Sequence, residues 1–340
     1  MKNILKKLVI PLLARRPIAT LGSMLFGSGV PIFVMHRFET NTYPDAIKTT
    51  PDHLRRCLDY LATRNYTFLS LEQLILALKE KQTLPPKTVV FTIDDGFYDQ
   101  AEIAAPVFLE FGCPLTIFLI TGMVDKIMWP WDAQISWITE TSKKTSLETS
   151  IAGKSLNLNL EDKNYKRQAK RLIHNMIREI KIEHIPEIIN RIARDAAVSI
   201  PEHPPESFLP MSWETARQLE TKGIQFAPHT VTHNILSRMS KESMEIEICE
   251  SWQTLKRELV NPVKIFCYPT GRTIDFGDRE VKELKNNEFI GAVSTSPGFI
   301  DPKNNHEKQL FNLPRFSLPG SMNDFIQCCT WIEYAKNRYR

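Results

Sequence analysis

Seven short apolar runs alternate along the 340-residue chain with segments patterned for helices. Runs in this order predict parallel strands, because parallel neighbours need a crossover of a dozen or more residues and that crossover is usually a helix. The fold class is therefore α/β, built on a parallel sheet, and periodicity alone leaves open whether the sheet closes. The predicted strands are residues 31–35, 88–93, 114–120, 224–227, 263–268, 289–293 and 311–316.

An acidic turn, Asp94-Asp95-Gly96, ends the second predicted strand. Successive side chains on a strand point to opposite faces, so the two carboxylates can share a pocket only where the strand ends and the backbone turns. Gly96 permits such a turn. Asp-Asp-Gly is also an ordinary turn sequence, so these residues alone are a weak indication of chemistry.

Two histidines, His229 and His233, follow the fourth predicted strand. An extended backbone would place their Cα atoms about 13 Å apart, whereas one helical turn brings their Cβ atoms to about 5–6 Å. Joint metal binding therefore requires residues 229–233 to form a turn or a helix start. No Glu follows His229, so the His-Glu-x-x-His metalloprotease pattern is absent. Two carboxylates and two imidazoles at strand ends indicate a metal-hydrolase centre.

Three segments of the chain together resemble the motifs of one enzyme family. They are residues 89–99 around Asp94, the segment His229-Thr-Val-Thr-His233, and Phe266-Cys-Tyr-Pro-Thr-Gly271. These segments are similar to the first three motifs of the polysaccharide deacetylases, the carbohydrate esterase family 4 or NodB-homology group, and the third has the form found in members linked to exopolysaccharide biosynthesis. The resemblance covers residues 31–318. It implies a distorted seven-stranded parallel β/α barrel with a helical insertion and with its chemistry at the carboxyl ends of the strands.

The resemblance also implies one large domain after a short N-terminal segment. Residues 31–340 form the barrel domain, and residues 124–210 are inserted between its third and fourth strands. Within the insertion, residues 142–164 predict a loop or small hairpin, and residues 165–197 predict two basic amphipathic helices. Trp129 or Trp131 could stack on a sugar ring there, although aromatic side chains are more often part of a core.

Residues 1–30 predict a basic amphipathic segment. Its longest apolar run, residues 8–14, is too short to span a bilayer. Contact of residues 1–17 with anionic membrane lipid is the favoured interpretation, and a helix that covers the barrel end or an export signal are the alternatives. The six cysteines form no regular framework, which favours a reducing compartment. We therefore predict a cytoplasmic protein, peripheral on the inner membrane face, with export left open.

The resemblance assigns roles to the strand-end residues. Asp95, His229 and His233 are implied to bind a divalent metal, and Asp94 is implied to be the general base that takes a proton from water. Three protein ligands with an open position suit a catalytic metal. The expected ion is Zn²⁺, and mixed His and carboxylate ligation also accepts Co²⁺, Ni²⁺ or Fe²⁺.

The third motif and the first strand supply the remaining implied roles. The loop Tyr268-Pro269-Thr270-Gly271 is implied to contact substrate, with the backbone N–H of Thr270 as an oxyanion donor because Pro269 has none. His36 is implied to be the general acid, and a structural hydrogen-bonding role is its alternative. His306 is a further candidate acid that lies in a polar loop.

One departure from the family pattern concerns the charge beside Asp94. Many members carry an Arg at the start of the third motif that holds the catalytic Asp, but Phe266 or Cys267 stands there in this chain. Arg315, or alternatively Arg37, is the candidate for the replacement charge that keeps Asp94 ionised.

The predicted function is that of a metal-dependent N-deacetylase acting on N-acetylated amino sugars of a polysaccharide or glycolipid precursor. An O-acetyl carbohydrate esterase and a catalytically inactive glycan-binding protein are the alternatives. The expected partner is an N-acetylated glycan. Nucleic acid is excluded as a main partner, because the net charge is only +4 and no basic stripe is interleaved with aromatic residues.

Overall fold

The computed structural model of the protein describes residues 9–39, 48–301 and 309–338. Each of the seven predicted strand segments overlaps a strand in the structure, but the seventh, residues 311–316, shares only Phe316 with its strand. In chain order the strands are β1 (Val30–Met35), β2 (Arg37–Phe38), β3 (Lys48–Thr49), β4 (Thr67–Phe68), β5 (Thr88–Ile93), β6 (Thr116–Leu119), β7 (Ser146–Ile151), β8 (Lys154–Asn159), β9 (Gln225–Pro228), β10 (Ile265–Cys267), β11 (Gly291–Val293), β12 (Phe299–Ile300) and β13 (Phe316–Ser317).

The main sheet is mostly parallel. Strand β1 pairs with β5, β5 with β6, and β6 with β9, all in parallel, and β13 and β4 add parallel pairs to β1 and β5. Strand β12 is antiparallel to β1. Strands β10 and β11 form a separate parallel pair. The ladders among the described residues therefore establish an α/β fold with a mostly parallel sheet, and they do not by themselves form a closed ring.

Both faces of the main sheet are buried, which explains why its strands read as continuous apolar runs. In β5, Val89, Phe91 and Ile93 pack into one hydrophobic cluster, and the intervening Val90 packs into another. Strand β6 repeats the alternation with its own apolar side chains. Because successive strand residues point to opposite faces, apolar side chains from other helices and strands cover the sheet on both sides.

The covering helices lie between the strands. Helix α3 begins with the Ser70 capping box, in which Gln73 donates its backbone N–H to the Ser70 hydroxyl and its side chain accepts from the Ser70 backbone. The helices are α1 (Arg16–Phe26), α2 (Pro51–Ala62), α3 (Leu71–Lys79), α4 (Ala105–Glu110), α5 (Thr121–Val124), α6 (Trp131–Thr141), α7 (Lys163–Ile177), α8 (Ile185–Asp195), α9 (Trp213–Thr221), α10 (Lys241–Glu258), α11 (Asp278–Asn286), α12 (Met322–Cys328) and α13 (Trp331–Arg338).

The insertion between β6 and β9 has a hydrophobic core of its own. Helices α6, α7 and α8 and the antiparallel β7–β8 hairpin enclose this core, to which Ile135, Ile173 and Ile189 contribute. The hairpin and the two basic helices are the elements that the sequence predicts for residues 142–197. Trp129 and Trp131 are both buried, so they belong to the core and offer no open sugar platform.

The N-terminal helix α1 packs against the C-terminal helix α13. Phe26 stacks on Trp331 with ring centroids 5.1 Å apart, and a Cβ atom at Gly22 would collide with the same indole. Leu21, Met24 and Leu25 on α1 are exposed. Within the described ranges, no helix combines the length and the apolar character needed to cross a membrane.

Candidate metal centre

The acidic turn after β5 has the backbone geometry that places both carboxylates in one pocket. Asp95 and Gly96 have φ angles of 88° and 90°, so the backbone leaves the extended conformation there. The side chains of Asp94 and Asp95 therefore no longer point to opposite faces of the sheet. The amide of Gln100 donates to the backbone carbonyls of Asp94 and His36, and its carbonyl accepts from the N–H of Gly96. Gln100 thereby joins the ends of two neighbouring strands. A positive φ angle is uncommon for a residue other than glycine. The contacts of Gln100 on either side of Asp95 hold its backbone in this conformation.

The histidine segment after β9 is a tight turn. Thr230 and His233 have φ angles of 66° and 59°, and the two imidazole centroids lie 4.8 Å apart. The buried carboxylate of Glu247 on α10 accepts the backbone N–H groups of Val231 and Thr232 at 2.7 and 2.9 Å. The Glu247 side chain therefore satisfies two backbone N–H groups of the turn that carries both histidines.

Asp95, His229 and His233 converge on one point. The Asp95 Oδ1 atom lies 3.7 Å from Nε2 of each histidine, and all three side chains are buried. Asp95 Oδ1 has no hydrogen-bond partner among the described residues. Burial outweighs the neighbouring His36 and His233 and raises the pKa of Asp95 to about 6. A buried carboxylate oxygen facing two imidazole nitrogens fits a divalent cation, with three protein ligands and an open position.

The other ring nitrogen of His229 makes a hydrogen bond, and that of His233 makes an ion-pair contact without hydrogen-bond geometry. His229 Nδ1 lies 2.8 Å from the carbonyl oxygen of Cys267, and His233 Nδ1 lies 3.4 Å from Oδ1 of Asp132 on α6. Burial disfavours the charge on His233, but Asp132 outweighs it and raises the pKa of His233 to about 9. Such partners commonly fix the orientation of metal-bound histidines. The sequence offers no pattern that would identify Asp132, because it lies about a hundred residues away in the insertion.

Asp94 forms a buried bidentate ion pair with Arg315. Both guanidinium Nη atoms of Arg315 lie 2.7 Å from a carboxylate oxygen of Asp94, and its Nε donates to the carbonyl of Ser294 at 2.9 Å. Burial would raise the pKa of Asp94, but Arg315 outweighs it and holds that pKa well below its usual range. Arg37 is engaged elsewhere, since its Nε lies 3.1 Å from Oδ2 of Asp99.

A second group of potential ligands, Asp94, His229 and Cys267, overlaps the first. It is a poorer metal site for two reasons. Arg315 already binds both oxygens of Asp94. Burial raises the pKa of the Cys267 thiol well above its usual range, so the neutral thiol donates to Asp94 Oδ2 at 3.4 Å. The geometry therefore favours Asp95 with the two histidines.

His36 stands on the open side of Asp94. Its Nε2 lies 3.8 Å from Asp94 Oδ2, and 42% of its side chain is exposed. This position faces the same cavity as the carboxylates. His306, the other candidate acid, lies outside the described residues.

The third motif borders the cavity through Thr270. Its φ angle is 57°, and its hydroxyl donates to the buried carboxylate of Asp275. Tyr268 also lines the cavity, but its hydroxyl donates to the carbonyl of Phe311 at 3.1 Å. Pro269 and Gly271 are buried beside Thr270. Of these four residues, only Thr270 is partly exposed.

These side chains surround a cavity of about 880 Å³. One wall comes from the strand ends, and the other comes from α6 and α7 of the insertion. The volume is within the range of small-molecule sites. The cavity thus combines a cation-binding triangle, a buried carboxylate kept ionised, and an exposed imidazole.

Comparison with solved structures identifies proteins with a similar fold. Among solved structures, the chain is similar to the Streptococcus pyogenes deacetylase PplD in complex with acetate, with 18% identity, a TM-score of 0.56, and coverage of 89% of this chain and 98% of that one. It is similar to IcaB from Ammonifex degensii, with 15% identity, a TM-score of 0.56, and coverage of 90% and 98%. It is also similar to a de-N-acetylase from Aggregatibacter actinomycetemcomitans, with 14% identity, a TM-score of 0.53, and coverage of 89% and 100%.

At these identities the structural matches establish the shared fold alone. Comparison with curated protein sequences gives no significant match. The family model described as polysaccharide deacetylase matches residues 81–289, a span that begins before the acidic turn and includes the histidine turn and the third motif. Because that span is more than half of the chain, the protein belongs to the polysaccharide deacetylase family.

Proposed function

We propose that the protein is a metal-dependent N-deacetylase that removes acetyl groups from N-acetylated amino sugars of a polysaccharide or glycolipid precursor. The observation that carries this proposal is the triangle of Asp95, His229 and His233 beside the ionised Asp94. A glycan-binding module would not need a base next to three ligands. The name of one similar structure, a de-N-acetylase, favours amide cleavage over ester cleavage.

In this proposal Asp95, His229 and His233 hold a divalent cation, most consistently Zn²⁺, with Co²⁺, Ni²⁺ and Fe²⁺ as alternatives. When bound, such an ion polarises the acetamide carbonyl and lowers the pKa of water.

The remaining steps fall to side chains and backbone groups of the cavity. Asp94 takes the proton of the attacking water, and Arg315 keeps Asp94 ionised for that role. His36 donates a proton to the leaving amine, and the backbone N–H of Thr270 faces the developing oxyanion. Tyr268, Pro269 and Gly271 support the Thr270 loop against the substrate.

We further propose that residues 31–340 form one barrel domain with residues 124–210 as its insertion. Support for closure comes from two links beyond the regular ladders. The N–H of Val263, just before β10, donates to the carbonyl of Phe226 in β9 at 2.8 Å. A parallel bridge joins Val293 in β11 to Leu313, near β13.

Residues 1–17 remain our proposed contact with anionic membrane lipid, on the inner face of a membrane in the cytoplasm. The exposed Leu12 and the neighbouring exposed Arg15 support this proposal, because apolar and basic groups side by side suit an anionic interface.

The test is acetate release from matched N-acetyl and O-acetyl sugars, with metal content measured on the same samples. We expect the metal-loaded wild type to release acetate from N-acetyl sugars and a chelator to abolish that activity. Asp94→Asn should keep its metal and lose activity by about 10²- to 10⁴-fold, because the base is gone. Asp95→Asn should lose the metal.

Each contrary result has a specific meaning. Full activity in Asp94→Asn would eliminate it as the base, and metal loss in that variant would show that the two carboxylates exchange roles. Faster turnover of O-acetyl sugars would establish an esterase. A folded, metal-loaded protein that releases no acetate from any of these sugars would refute deacetylation of the tested class.

A further inference from the structure

Helix α7 presents a cationic face to the cavity of the metal centre. Arg167, Arg171, His174 and Arg178 recur at helical spacing and all line that cavity. The opposite face of the helix, with Ala169, Ile173 and Ile177, is buried in the core of the insertion. The helix therefore turns its charged side toward the proposed substrate site.

Several of the cavity cations are already neutralised by acids of the protein. Lys170 pairs with Glu140 at 3.5 Å, and Arg37 pairs with Asp99. Arg272 binds Asp275 at 2.7 Å and Glu179 at 3.2 Å. These pairs do not include Arg171 and Arg178.

Arg171 and Arg178 form no ion pair within the part of the chain that the structure describes. Arg171 is exposed, whereas Arg178 is half-buried, and its Nε atom is buried without a hydrogen-bond partner there. Burial, followed by the neighbouring Arg272, lowers the pKa of Arg178. The acids Asp275, Asp132 and Glu179 act on Arg178 from beyond ion-pair distance and offset part of this effect. An anion that binds the guanidinium of Arg178 directly would supply a contact that these acids do not make.

The position of Arg178 is held by contacts on both sides. Its backbone carbonyl accepts from Nε of Arg238 at 3.2 Å. The next residue, Glu179, bridges Arg238 and Arg272 at 2.6 and 3.2 Å. The end of α7 is thus tied to loops of the main domain, which keeps the guanidinium of Arg178 beside the cavity.

We propose that Arg171 and Arg178 bind an anionic group, a phosphate or a carboxylate, carried by the substrate in the same cavity as its N-acetyl group. This inference rests on the proposed deacetylase function and narrows its substrate class to acidic or phosphorylated N-acetylated glycans. Arginine suits both groups because its planar fork binds them in a bidentate manner.

Binding to the metal-free protein tests the proposal without turnover and without anion binding to a metal. The probes are a neutral disaccharide of N-acetylglucosamine, the same disaccharide with a phosphate at C1 or C6, and its C6-carboxylate form. We expect one of the anionic probes to bind about 10- to 100-fold more tightly than the neutral one, the range for a hydrogen-bonded charge pair. The stronger of the phosphate and carboxylate probes identifies the source of the anion.

Substitution of the two arginines provides the decisive comparison. Arg178→Gln and Arg171→Gln should each remove most of the anion preference, and Arg178→Lys should retain part of it. Arg194→Gln, an exposed position on α8 outside this cavity, changes the net charge equally and should leave the preference intact. Arg171 is exposed, so its variant does not depend on refolding of the core.

Two results would overturn the inference: equal binding of neutral and anionic probes, or an anion preference that survives both Gln substitutions. Acetate release from the metal-loaded protein is measured separately. Anion preference without any acetate release would refute the proposed activity and leave the anion site, whereas acetate release without anion preference would do the reverse.

Discussion

Among single residues, Arg315 has the largest expected effect, because its pair with Asp94 is buried from solvent on both sides. Removing one partner of such a pair leaves an uncompensated buried charge and costs about 3–5 kcal/mol. Arg315→Ala should therefore lower the free energy of unfolding by about that amount and abolish acetate release. Denaturant unfolding and an acetate assay measure the two effects.

A double variant separates charge from packing. In Arg315→Ala combined with Asp94→Asn, no unpaired carboxylate remains, so much of the lost stability should return while activity stays absent. Arg315→Ala with full activity would contradict the role of this charge in keeping the base ionised.

The residues of the site differ in how far the sequence could predict them. Asp94, Asp95, His229 and His233 are readable because each pair lies in a short segment at a strand end. Arg315 was predicted only as one of two candidates, and the structure shows the contact with Asp94. Asp132, Gln100 and Glu247 could not be predicted, because their roles depend on contacts between distant elements and no local spacing marks them.

At the scale of elements, helix α10 determines the shape of the histidine turn through Glu247. Glu247→Gln removes the charge that accepts two backbone N–H groups, and it should reduce stability by about 1–3 kcal/mol. Because the turn positions two of the proposed metal ligands, metal affinity should fall by about 10- to 100-fold. Metal titration and thermal unfolding measure these effects.

Glu250→Gln on the same helix is the matched control. Glu250 is exposed, and its substitution removes the same charge without altering a contact to the histidine turn. Neither the metal affinity nor the free energy of unfolding should change appreciably. Equal effects of the two substitutions would show that the long-range charge of α10, and not the contact of Glu247, supports the metal site.

The elements themselves were largely predictable. Six of the seven strand segments and the hairpin with two basic helices follow from apolar periodicity and turn composition, whereas the seventh segment meets its strand only at Phe316. The direction of the α7 cationic face was not predictable, since an amphipathic pattern shows that a helix has two faces and not that its polar face borders a cavity. The proposed closure of the barrel likewise depends on single backbone hydrogen bonds, such as that from Val263 to Phe226, and hydrophobic periodicity cannot predict them.

For the molecule as a whole, the proposed metal site would link metal binding to folding. Asp95, His229 and His233 come from two segments far apart in sequence, so a cation that binds them stabilises only the folded chain. At a free metal concentration of about 100 times Kd, the gain is about 2.7 kcal/mol, or about 4 °C in Tm for a chain of this size. Thermal unfolding with Zn²⁺ and with a chelator measures the shift.

Asp95→Asn is the control for this prediction and should abolish the shift. Its apo Tm should stay close to that of the wild-type apo protein or rise, because the substitution removes a buried carboxylate oxygen that has no hydrogen-bond partner among the described residues. An equal Zn²⁺ shift in the variant would place the metal elsewhere.

The separate core of the insertion has a consequence for how this enzyme can change. The strand-end residues and the buried face of α7 lie in different packing units. These units meet through the contacts of Asp132 with His233 and of Glu179 with Arg272, and through an apolar cluster that includes Met123 and Trp129. Mutations on the exposed side of α7 can therefore accumulate with little effect on the packing of the strand-end residues. Selectivity in this protein can evolve as a module, and exchanging the insertion while keeping those contacts offers a route to new glycan specificities.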